Sequence, residues 1–108
     1  MMSAEFQLFF NDEKWYIDHK DKIANKIKTL NTYIKKNDSA YLLSGIGSIS
    51  NKGNWPFDVR FFFEDKRIFI EISAHPLSIE KDLKALFTWL RKQTGIVILD
   101  EDGELAGW

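Results

Sequence analysis

Apolar and polar positions alternate over short stretches of this chain and recur at three/four spacing over longer ones, so strands and helices are both expected. Ala4 to Phe10 alternates as a strand, with Phe6 and Leu8 on one face. Asn11 and Asp12 supply side-chain oxygens suited to capping a following helix. Tyr16, Ile23, Ile27, Leu30 and Ile34 then keep helical spacing as far as Lys36, which predicts one long helix with a possible break near His19–Asp21. Its other face is rich in lysine and reads as solvated; Lys35 and Lys36 suit a helix C-terminus, and Asn37-Asp38-Ser39 ends the element. Tyr41 to Ser50 reads as a strand interrupted by Gly45 and Gly47. Glycines two apart share a strand face and mark a bulge or a close approach, by a helix of the same domain or by a ligand.

Asn51 to Pro56 is the clearest loop. Two alternating runs follow, Asp58 to Glu64 and Arg67 to Ser73, joined at Asp65-Lys66. Val59, Phe61, Phe63 and Ile68, Ile70, Ile72 fall on one face of the resulting hairpin, and a mixed set falls on the other. That is the pattern of an antiparallel sheet covered on one side. Pro76 and Ser78 open a second helix whose stripe is Ile79, Leu83, Leu86, Phe87 and Leu90. Arg91 and Lys92 suit its last turn, and Gly95 is a candidate left-handed terminator. Ile96 to Leu99 is a buried-type strand. Asp102-Gly103 fits a type I′ turn, with Glu104 to Trp108 returning as a short strand. The order β-α-β-β-β-α-β-(β) predicts an α+β domain: two helices on one face of a mostly antiparallel sheet of about five strands.

Length and composition agree with that reading. The 108 residues suffice for a single domain, residues 1–108, and 44% apolar with 29% charged residues is ordinary for a folded protein. The absence of cysteine excludes disulfides, Cys-ligated zinc and thiol chemistry, and suits a cytoplasmic location. Met1 to Glu5 lacks the basic and apolar regions of a signal peptide, and no apolar run is long enough for a membrane span. A net charge of −1 argues against a general nucleic-acid binder. The charge is uneven, however. Residues 1–54 carry eight Lys/Arg against six Asp/Glu, and residues 55–108 carry seven against ten. The last nine residues hold four acids and no base, which could steer a basic partner to that end.

No catalytic motif emerges. His19 lies in a charged helical run, as surface histidines do. His75 precedes Pro76 at a strand-to-helix junction; a structural role suits it better than that of a base, since no Cys or elbow serine accompanies it. Asp100 to Glu104 resembles a calcium loop in composition only, because an EF-hand needs glycine at its sixth position and glutamate at its twelfth. Gly45-x-Gly47 lacks the third glycine of a dinucleotide fingerprint. No metal, cofactor or catalytic residue is therefore assigned. One alternative is a small ligand-binding or enzymatic domain whose pocket is lined by Tyr41, Gly45, Gly47, Arg60 and His75. Another is an adaptor or regulatory subunit.

What remains is surface. Four tryptophans is a high count for this length. Trp15 and Trp89 fall in helical segments, with Trp89 off the main stripe. Trp55 on the loop and Trp108 at the end either anchor a partner or fold back onto the core. Size, the missing cysteines and catalytic motifs, the Trp55 loop and the acidic run Asp100-Glu101-Asp102-Gly103-Glu104 together resemble small bacterial immunity proteins of the contact-dependent growth inhibition type. That resemblance implies a cytoplasmic protein that binds the C-terminal domain of a cognate toxin, often a nuclease, and blocks its active site. No residue role transfers with it. On physical grounds Trp55 is the anchor candidate. Asp100, Glu101, Asp102 and Glu104 are candidate phosphate mimics, with Asp58, Glu64 and Asp65 in reserve.

Overall fold

The structure is a computed structural model that describes residues 4–45, 57–74 and 76–108. These form β1 (Ala4–Phe10), α1 (Glu13–Asp18), α2 (Lys20–Lys28), β2 (Tyr33–Asn37), β3 (Ala40–Leu43), β4 (Val59–Phe63), β5 (Arg67–Ile72), α3 (Leu77–Gln93) and β6 (Ile96–Leu99). The strands make one sheet in the order β2-β3-β4-β5-β1-β6, antiparallel at every pairing. The fold is α+β.

The expected long helix is divided and shortened. Asp12 caps α1, its Oδ1 accepting from the Trp15 amide at 3.1 Å. The helical run then breaks at His19, inside the segment where a break was expected. The larger difference lies at the other end. α2 stops at Lys28, the amides of Thr29 and Leu30 turn back to Lys26 and Ile27, and residues 33–37 become a strand. Leu30 stays buried, but Ile34 is 42% exposed, at an irregularity in the β2–β3 register. Two tertiary bonds hold the change of direction. Asp82 of α3 accepts both the amide and the hydroxyl of Thr32, at 2.8 and 2.7 Å, and the Thr32 carbonyl accepts from the Ser44 amide at 2.8 Å. Helical spacing thus extends past the true helix end because Leu30 is buried either way. Thr29, Thr32 and Ile34, all β-branched, favour leaving the helix.

The register sorts side chains between two faces. Leu8, Ile68, Ile70, Ile72, Val59, Phe61, Leu43 and Ile98 share one core with Tyr16, with Ile23 and Ile27 of α2, and with the expected stripe of α3. On the opposite face Leu42 pairs with Arg60, Arg60 with Glu71, Phe62 with Phe69, and Glu71 with Glu5. There Ala40, Leu42 and Phe57 form a small separate cluster against Phe62. None of the described helices contributes to it.

α3 begins after Pro76 with no side-chain cap and ends at Thr94, whose backbone is extended. Gly95 is not left-handed, so the expected terminator geometry is absent; its carbonyl instead accepts from the Asn11 amide at 3.0 Å. No described helix is long and apolar enough to cross a membrane.

Candidate functional site

Beyond β6 the chain doubles back on itself. The Asp100 amide donates to the Glu104 carbonyl at 2.8 Å, Gly103 N–H to the Asp100 carbonyl at 3.0 Å, and Ala106 N–H to the Ile98 carbonyl at 2.9 Å. Gly103 has φ +80°, but Asp102 does not have positive φ. The connection is therefore a turn closed by a left-handed glycine and not the expected type I′ turn, which needs positive φ at both central residues. The returning strand reduces to a single bridge, Leu99 to Leu105.

The four acids of this tip have different roles. Asp100 turns inward, its Oδ1 accepting from the amides of Asp102 and Glu104 at 2.9 and 3.0 Å. Its carboxylate fixes the turn, as an Asx side chain does. Glu101 ties the tip to β1, Oε1 accepting from the Glu5 amide at 3.2 Å. Glu101, Asp102 and Glu104 are all exposed. They form a negative surface on a turn whose backbone is already bonded.

Beside the tip lies an open, shallow groove of about 410 Å³ lined by Phe6, Leu105, Ala106 and Trp108 together with Glu80, Lys84 and Asp100. Trp108 folds back, edge-on to Phe6 and Phe87 at 6.3 and 6.0 Å between centroids. Its carbonyl oxygen accepts from the Arg91 guanidinium at 2.6 Å. Of the two roles open to Trp108, this is the packing one. Leu105 stays 77% exposed.

No family model, curated protein or solved structure matches this chain.

The reserve acids do not join this surface. Asp58 is fully buried, with Oδ2 accepting from the Gly45 amide at 2.6 Å, so it presents no charge to a partner. Its alternating position in the strand pattern suggested a surface site, but it lies where β3 and the start of α3 converge. A Cβ on Gly45 would come within 2.5 Å of the Pro76 ring and 2.9 Å of the Asp58 carboxylate. The close approach that requires glycine here is by the domain's own helix. Glu64 and Asp65 are exposed, and Glu64 pairs with Arg67 at 2.6 Å. They lie at the far end of the sheet. β5 starts beside Phe9, whereas β6 leaves the sheet beside Gln7 and runs on towards Glu5. The two acidic groups therefore sit past opposite ends of β1.

Of the residues proposed for the alternative pocket, Tyr41 and Arg60 do not come together. Tyr41 pairs with Phe61 on the helix-covered face and packs against Phe63, while Arg60 pairs with Leu42 on the open face. Arg60 lies over the rings of Phe57 and Phe62 and pairs with Glu71. It borders an open-face cavity of about 490 Å³ that also includes Ala40, Leu42, Lys35 and Asp38. Trp55, Gly47 and His75 lie outside the described residues, as do residues 46–50 of the expected Tyr41–Ser50 strand and the Asn51–Pro56 loop. His19 is half-buried against Trp15, ring on ring at 4.4 Å, with Nδ1 2.7 Å from the Trp15 carbonyl. Trp89 lies under the ammonium groups of Lys22 and Lys26. Among the described residues no three His, Asp or Glu side chains converge to hold a metal ion.

The groove was missed because Phe6 and Trp108 are distant in sequence. Leu105, a large apolar residue directly after four acids in five positions, was the available signal.

Proposed function

We propose that this chain is a protein-binding immunity factor that covers the active site of a cognate toxin domain, a nuclease by the chemistry of its surface. The observation that carries the reading is the tip itself: Glu101, Asp102 and Glu104 are exposed on a turn held by the Asp100 side chain. A nuclease site must be basic to attract phosphates. Carboxylates on a rigid turn meet that field without first losing conformational freedom, which lowers the cost of binding. The apolar side chains of the adjoining groove, Leu105 above all, add the kind of contact that slows dissociation, while charge speeds association and selects the partner.

The test is co-expression in bacteria with a toxin domain encoded beside this gene. The chain is expected to restore growth and to co-purify with the toxin. Unrestored growth and no complex with any such domain would remove the reading.

A further inference from the structure

We infer that the groove beside the acidic tip receives an apolar side chain flanked by arginine or lysine, supplied by the protein that docks there. The inference rests on the protein-binding reading and names the chemistry of its anchor. Leu105 is 77% exposed, yet its backbone is not loose: it bridges Leu99, and the next amide is bonded to Ile98. The groove floor is equally fixed, because Trp108 rests on both Phe6 and Phe87. An exposed apolar side chain on bonded backbone is preorganised for a partner side chain.

The charge around the groove selects the flanks of that side chain. Among the described residues Glu80, Asp100 and Lys84 line it, the Arg91 guanidinium bonds the Trp108 carbonyl beside it, and Glu101, Asp102 and Glu104 are on the adjoining turn, five acids against two bases. Other exposed apolar side chains have different company. Leu77 shares its pocket with Lys81 and Asp82, and Ile34 shares the open-face cavity with Lys35, Arg60 and Asp38, so neither has an acidic excess around it. Leu105 combines an exposed apolar side chain with a net negative surround. A basic flank is attracted to that surround, and an acidic flank is repelled.

The probe is the end-blocked tripeptide Arg-Phe-Arg, titrated into the full chain and followed by amide and indole NMR shifts. Glu-Phe-Glu and Arg-Ser-Arg serve as controls. Saturable shifts at Leu105, Ala106, Gly107 and the Trp108 indole are expected, with a Kd about tenfold or more below either control, a difference of about 1.4 kcal/mol. Leu105→Ser should remove that preference without unfolding the protein, since the side chain is on the surface. Shifts located elsewhere, a smaller preference, or unchanged binding by Leu105→Ser would overturn the inference. The titration involves no toxin. If it fails while toxin protection holds, the groove assignment falls alone; if it succeeds while protection fails, the immunity reading falls alone.

Discussion

Tyr16 shows how much of a residue's role the sequence withholds. Its helical spacing marked it as core, and it is fully buried, stacked on Phe10 at 4.6 Å. Its hydroxyl, however, is directed at the carbonyls of Glu64 and Arg67, at 2.6 and 2.9 Å, partners about fifty residues away. Tyr16→Phe should cost about 1–2 kcal/mol in urea unfolding at neutral pH, the loss of a buried hydrogen bond. Burial pushes the Tyr16 phenol well above its ordinary value of 10.0, and the Glu64 and Asp65 charges add to the rise. Above that value the unfolded chain releases this proton while the native state keeps it, so stability falls as pH rises. The stability difference between wild type and Tyr16→Phe should therefore narrow between about pH 8 and about pH 11. A constant difference would show that the phenol titrates alike in both states. Asp82 and Asp58 carry the same lesson. Asp58 was expected as a reserve surface acid and no local pattern marks Asp82 as special, yet both are buried on partners from other elements.

At the scale of the element, the β4–β5 hairpin and α3 were legible because a local period states which side is buried. The segment after Lys28 was not, because Leu30 and Ile34 continue a helical period while the backbone has changed to a strand. The hairpin that replaces the last helical turns depends on Asp38, which has φ +55° in the connection between Asn37 and Ala40. Left-handed backbone costs most L-residues about 1–2 kcal/mol, and Asp and Asn bear it best after glycine. Asp38→Val is therefore expected to lower unfolding stability by about 1–2 kcal/mol, whereas Asp38→Gly should be neutral or slightly stabilising. Equal effects of the two substitutions in urea titrations would mean that turn strain is unimportant here. β2 is also an edge strand, and Lys35 and Lys36 make it a poor template for unwanted strand pairing.

For the whole molecule, what matters is which charges share an end. The acids at 64–65 and at 101–104 look equivalent in composition, yet they lie past opposite ends of β1. Reversal at Asp102 and Glu104 together, sparing Glu101 whose carboxylate ties the tip to β1, should slow association with the toxin and weaken its salt dependence, leaving the fold intact because these two carboxylates are exposed. Reversal at Glu64 and Asp65 should leave the association rate unchanged. Stopped-flow association measured against ionic strength separates the two outcomes. The same slowing from both variants would mean that net charge alone, and not the tip, governs the encounter. Asp100 is left out of this comparison, since its carboxylate holds the turn.

Alternation and helical stripes alone determined that this chain is α+β, which strand faces are buried and which face of α3 enters the core. Each of those follows from a period of two or of 3.6 within one segment, and burial of apolar side chains acts on that period directly. Strand order, the early end of α2, the buried state of Asp58 and the assembly of Phe6, Leu105 and Trp108 into one groove were decided only in three dimensions. They depend on pairings between distant segments, where a shift of one residue would exchange the faces of a whole strand, and no local pattern encodes which distant segment arrives.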